Sequence, residues 1–99
     1  MTAPGVVYYV RFEDFVKIGT SRNLPSRLRA IPGHELLAVE PGNHATEHMR
    51  HMEFGALRFV GEWFRNDPPL SAFITHVRSV YGSPLDAYER IMREGRRVA

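Results

Sequence analysis

Apolar and polar positions follow their clearest pattern between Val6 and Arg27, in the run VVYYVRFEDFVKIGTSRNLPSR. Val6–Phe12 is rich in β-branched and aromatic residues, Glu13-Asp14 interrupts it, and Phe15–Thr20 resumes the same character, which predicts two antiparallel strands joined by a tight turn. With those two residues as the turn, Phe12 faces Phe15, Val10 faces Lys17 and Tyr8 faces Gly19. Side chains alternate faces with period two, so Tyr8, Val10 and Phe12 share a surface with Phe15, Lys17 and Gly19. A phenol and an ammonium thereby lie diagonally across one sheet face, roughly 7–8 Å apart at Cβ.

Beyond the hairpin, Asn23-Leu24-Pro25 opens a short helix over about Leu24–Ala30, with Asn23 as cap and Pro25 in the first turn. Leu24, Leu28 and Ile31 recur at helical spacing, and Pro32-Gly33 ends the helix. Leu36–Val39, within His34–Glu40, predicts a third strand bounded by Pro41-Gly42-Asn43. From His44 to about Arg58 the pattern is helical, capped by Asn43, with two stripes. Ala45, Met49, Met52, Ala56 and Phe59 form an apolar side read as core, with methionine as a flexible filler. Glu47, His51, Phe54 and Arg58 form the opposite side, and the pattern leaves open whether it packs on the sheet or faces a substrate. A further helix over about Pro69–Tyr81 carries Leu70, Phe73, Ile74, Val77 and Val80 or Tyr81 inward. A last one over about Leu85–Arg93 buries Leu85, Tyr88, Ile91 and Met92, leaving Arg93–Arg97 as a frayed basic end. The expected fold is one α/β domain over residues 1–99, a three-stranded antiparallel sheet flanked by about four helices.

Composition narrows the setting. The chain has no cysteine, which excludes disulfides and thiolate metal sites and suits a reducing compartment. No apolar run approaches the roughly 20 residues that span a bilayer, and Met1–Gly5 is too short and uncharged for a signal peptide, so a cytoplasmic protein with no membrane partner is expected. The net charge is only +2, yet 13 cationic residues are all arginine except Lys17. That bias suits phosphate recognition through a planar fork, although arginine-rich codon usage explains it equally well. Arg22 and Arg27, beside the first helix, are placed to attract anions. His44-Ala45-Thr46-Glu47-His48 satisfies the H-x-x-E-H spacing of a zinc peptidase, with His51 as a third imidazole. Five histidines clustered in a short chain produce such a pattern easily, and solvated helix histidines are the simpler account.

VVYYV, then VKIGTS, then an arginine eight residues beyond the glycine, then Gly61-Glu62-Trp63-Phe64, together resemble the GIY-YIG nuclease superfamily. The likeness is to its small phage and bacterial branch, with a VYxx, VKIGxS, RL and GEWF signature. The likeness spans about Val6–Phe64. Val6-Val7 stand in place of Gly-Ile, and Lys17 in place of the second tyrosine, as in some members of that branch. The pattern Glu47, His51, Phe54 is similar to the family's glutamate, histidine and phenylalanine one turn apart.

The resemblance implies a metal-dependent endonuclease acting on DNA. Glu62 would hold one Mg²⁺ or Mn²⁺, and Tyr8 would orient or deprotonate the attacking water. Lys17 would supply the positive charge that favours phenolate, and Arg27 would bind the non-bridging phosphate oxygens. Arg22 and Arg58 are candidate nucleic-acid contacts, and a homodimer or a partner protein would supply specificity. Two other classes compete: a catalytically silent nucleic-acid-binding module of the same fold, and a zinc hydrolase using His44, Glu47 and His48.

Overall fold

A computed structural model describes residues 4–31 and 33–98. Pro32 and the first three residues of the expected leading tail lie outside them, as do the side chains of Arg96 and Arg97. In chain order the elements are β1 (Val6–Phe12), β2 (Phe15–Ser21), α1 (Leu24–Arg29), β3 (Glu35–Pro41), α2 (His44–Glu53), β4 (Arg58–Val60), β5 (Trp63–Arg65), α3 (Pro68–Tyr81) and α4 (Pro84–Val98), with a 3₁₀ turn at Gly55–Leu57. No helix among the described residues is long and apolar enough to cross a membrane.

The class is α/β with four helices, as the pattern predicts, but the sheet has five strands rather than three, in the order β3-β1-β2-β5-β4, every pair antiparallel. β4 and β5 are three residues each and form a short hairpin around Gly61-Glu62, where Gly61 adopts φ +57. Strands that short hold too few alternations to register as a period, and Gly61 takes the left-handed conformation that glycine reaches without steric cost. The first hairpin has the predicted register: Phe12 pairs with Phe15, Val10 with Lys17 and Tyr8 with Gly19.

β1 is covered on both faces, which accounts for its unbroken run of buried residues from Val6 to Val10. On one face Tyr8, Val10 and Val39 pack with Leu24 and Ile31 from the α1 region and with Ala87 and Met92 of α4. On the other, Tyr9, Val16, Ile18 and Phe64 pack with Phe54 at the end of α2 and with Leu70, Ile74 and Val77 of α3.

Asn23 caps α1 by accepting from Ser26 N–H, and Asn43 caps α2 with a reciprocal bond to Thr46. α2, however, stops at Glu53 rather than near Arg58. The Phe54 side chain turns into the core, its ring 5.4 Å from Phe73, and Gly55 opens the 3₁₀ turn into β4.

The two stripes of α2 also exchange roles. Met49, Met52 and Phe59 are 59, 70 and 64% exposed, so the apolar side is not core. Glu47, His51 and Phe54 face the sheet instead. Hydrophobic spacing ranks methionine above glutamate, but Glu47 and His51 find polar partners on β2, and those bonds offset the cost of burying them. Arg50 on the same helix reaches the buried Glu40 of β3 through two hydrogen bonds, at 3.0 and 2.9 Å. On α4, Leu85 is exposed rather than buried, while Ala87 and Met92 take the inward positions; Tyr81, not Val80, completes the α3 contact. The helix continues to Val98, past the expected frayed end.

Candidate active site

The site lies where the sheet ladder runs out. β5 pairs only with Phe15–Lys17 of β2, and the last bond on that side runs from Ile18 N–H to the Glu62 carbonyl at 3.0 Å. Among the described residues, Gly19–Ser21 have no strand partner there. Side chains from opposite faces of the sheet can therefore meet around this open edge, with the β4–β5 turn placing Glu62 at its rim.

From one face comes Tyr8. Its ring lies across Gly19, so that a Cβ on that glycine would stand 2.5 Å from the Tyr8 Oη and 2.6 Å from Cζ. A close approach of this kind requires glycine. Gly19→Ala is expected to displace the phenol and to cost about 1–3 kcal/mol by overpacking. Urea unfolding with an unchanged m-value would check the cost, and loss of the Tyr8-dependent activity proposed below would check the displacement.

Lys17, on the same face, puts Nζ 3.7 Å from Glu62 Oε2. From the other face comes α2. Thr20 Oγ1 donates to Glu47 Oε2 at 2.8 Å, and His44 Nδ1 lies 3.2 Å from the same hydroxyl. His51 Nε2 donates to the Ile18 carbonyl at 2.9 Å and sits 3.6 Å from Glu47 Oε1, with its ring 5.0 Å from that of Phe64.

Glu47, His51 and Glu62 consequently bring ligand atoms within 4.8 Å of one another. Burial pushes the Glu62 carboxyl up, and the adjacent Glu47 reinforces the rise against Lys17 and His51. Burial also raises Glu47, but hydrogen bonds from Glu62 and Thr20 and the fields of His51 and His44 outweigh it and hold Glu47 below the ordinary carboxylate range. The two carboxyls crowd each other, and their surroundings set their titrations apart. Two carboxylates brought this close fit a hard divalent cation, which would take oxygen ligands and relieve their repulsion. Because His51 Nε2 is engaged as a donor to a carbonyl, the two carboxylates would be the principal ligands, with His51 holding Glu47 in place.

Of the four expected catalytic residues, Tyr8, Lys17 and Glu62 lie around this edge, and Arg27 on α1 acts on the phenol from the same side as the sheet face that carries it. The expected source of phenolate is corrected. Burial dominates and lifts the Tyr8 phenol to about 12, against the opposing pull of Arg27 and with support from Glu62 and Glu47. Lys17 faces Glu62 instead, so the phenol keeps its proton at neutral pH.

Arg58 is on β4, where Nε donates to the Gly61 carbonyl at 2.7 Å and braces the turn that carries Glu62. Arg22 is exposed just past β2. The H-x-x-E-H set does not come together: His48 is exposed while Glu47 turns to the sheet, and among the described residues Glu47, His51 and Glu62 are the one group with metal-ligand spacing. Sequence reasoning placed Glu47 in the polar stripe of α2 and in the zinc pattern but not among the site residues, and it missed Thr20. The signal for both was the polar stripe of α2 facing a strand whose outward side carries Ile18 and Thr20.

No family model, curated protein or solved structure matches this chain.

Proposed function

We propose that this protein is a GIY-YIG-type endonuclease that hydrolyses DNA phosphodiesters with Mg²⁺ or Mn²⁺. The observation that carries the reading is the meeting of Glu47 and Glu62, from α2 and the β4–β5 turn, beside a phenol and a guanidinium at the open edge of β2. Glu62 and Glu47 would hold the cation, which supplies charge neutralisation at the scissile phosphate and its leaving oxygen. Arg27 binds the non-bridging oxygens as charge builds on them. Tyr8, protonated, orients the attacking water through its hydroxyl rather than acting as a base. Lys17 limits the charge on Glu62 and steadies its position. In the reaction the water oxygen bonds to phosphorus as the ester P–O bond breaks, and the proton lost by water is made good on the leaving oxygen.

The test is nicking of supercoiled plasmid. Cleavage is expected with Mg²⁺ or Mn²⁺ and not with EDTA, and Tyr8→Phe should lose turnover while keeping affinity for duplex. Tight duplex binding with no nicking under either metal would replace this reading with the silent binding module.

A further inference from the structure

A cleft of about 950 Å³ opens directly beyond the site. Thr20 and Arg27 stand at its border with the open edge of β2. Its walls continue through Arg22 and Ser26 to the Gly42–His44 segment that leads into α2. Three features of this cleft point the same way. The lining includes Arg22, Arg27 and the imidazole of His44 but no aspartate or glutamate. Arg11, Lys17, Arg50 and Arg65 each have a carboxylate partner and Arg58, Arg78 and Arg90 bond to backbone carbonyls, whereas Arg22 and Arg27, like Arg29 and Arg93 outside the cleft, have neither among the described residues. The remaining side chains are mostly hydroxyls and amides, with no Phe, Tyr or Trp on which a base could stack.

Two guanidiniums in a lining without a carboxylate favour an anion there, and hydroxyls and amides are the groups that fix phosphate and sugar oxygens. Binding of an unpaired strand relies on aromatic platforms, which this lining lacks. We infer that the cleft seats the sugar–phosphate backbone of one strand of a duplex, on one side of the scissile phosphate, and that this contact reads no bases. The inference rests on the nuclease reading for what lies next door, but its chemistry is that of backbone phosphates alone. Specificity then has to come from the shape of the duplex or from another protein.

Fluorescence anisotropy in EDTA, with short duplexes of unrelated sequence over a series of NaCl concentrations, tests this without any cleavage step. Arg22→Ala should weaken all the duplexes alike and reduce the slope of log K against log salt by about 0.9, the loss of one phosphate contact. Arg29→Ala, on α1 but outside the cleft walls, should leave the slope unchanged. An RNA duplex run alongside decides which polymer supplies the backbone; preference for either one supports the cleft. An unchanged slope for Arg22→Ala overturns the inference. So does a single strand bound more than about tenfold tighter than the duplex, or a sequence preference of that margin that Arg22→Ala abolishes. A protein that nicks plasmid yet keeps its slope in Arg22→Ala retains the nuclease reading and loses the cleft. One that never nicks yet loses slope retains the cleft and loses the nuclease.

Discussion

Glu62→Gln is expected to lower metal-dependent strand cleavage by about 10³-fold or more, equivalent to about 4 kcal/mol of transition-state stabilisation, and Glu47→Gln to approach the same loss. Glutamine keeps the shape and the oxygen of each side chain but removes the charge that a divalent cation needs. The two carboxyls crowd each other, with Glu62 raised by burial and by Glu47. Removing the Glu62 charge therefore relieves repulsion in the metal-free protein, and Glu62→Gln should lose no stability, whereas Glu47→Gln gives up a carboxylate that Thr20, His51 and His44 favour and should lose some. That separates the Glu62→Gln outcome from simple unfolding. With both residues serving one ion, as proposed, the double variant should be little worse than the more impaired single one. Nicking rates and Mn²⁺ titration by calorimetry check the two halves. Glu62→Gln cleaving within tenfold of the parent protein would remove the carboxylate pair from the mechanism. Glu47→Gln with undiminished Mn²⁺ affinity would confine the ion to Glu62.

The hairpin, its register and the caps at Asn23 and Asn43 were legible because each depends on neighbours in sequence. Turn position sets every pairing in β1–β2, and a capping side chain bonds within three residues of itself. The polar partners of α2 were not legible, since a helical wheel ranks Met49 and Met52 over Glu47 and His51. It carries no record that Thr20 and Ile18 wait across the interface. β4 and β5 escaped for a related reason. Arg58–Val60 has no buried residue and Trp63–Arg65 buries one, so their pairing comes from the sheet edge they join rather than from their own pattern. The expected site likewise drew on a single sheet face. Its second carboxylate reaches the first around an open edge, a long-range relation that no local spacing encodes.

Arg50→Ala is expected to cost about 3–5 kcal/mol of folding stability. Glu40 is almost wholly buried, and Arg50 grips it with both Nε and Nη2 while Nη1 reaches Glu53 at 3.2 Å. The guanidinium also stands 4.5 Å over the Phe73 ring, and Tyr9 donates its hydroxyl to Glu40 from β1. Truncation would leave a carboxylate in the core with the Tyr9 phenol as its remaining side-chain donor, and would strip a cation from an aromatic face. Against a total of roughly 5–15 kcal/mol for a domain of this kind, that loss brings the protein close to unfolding at ambient temperature. The cost measures an orphaned charge rather than the value of the pair. Arg50→Met combined with Glu40→Leu should accordingly recover part of it, since a packed apolar pair replaces a buried ion pair at little cost but leaves the buried Tyr9 hydroxyl without its acceptor, at about 1–3 kcal/mol. Urea denaturation of both variants, with m unchanged, decides the matter. Arg50→Ala within about 1 kcal/mol of the parent would mean that water reaches Glu40 and that the network is not sealed. The same helix turns Glu47 and His51 towards β2, so the ion pair that docks α2 also sets where the second carboxylate stands. In the double variant, cleavage should return together with stability if docking is all that Arg50 contributes.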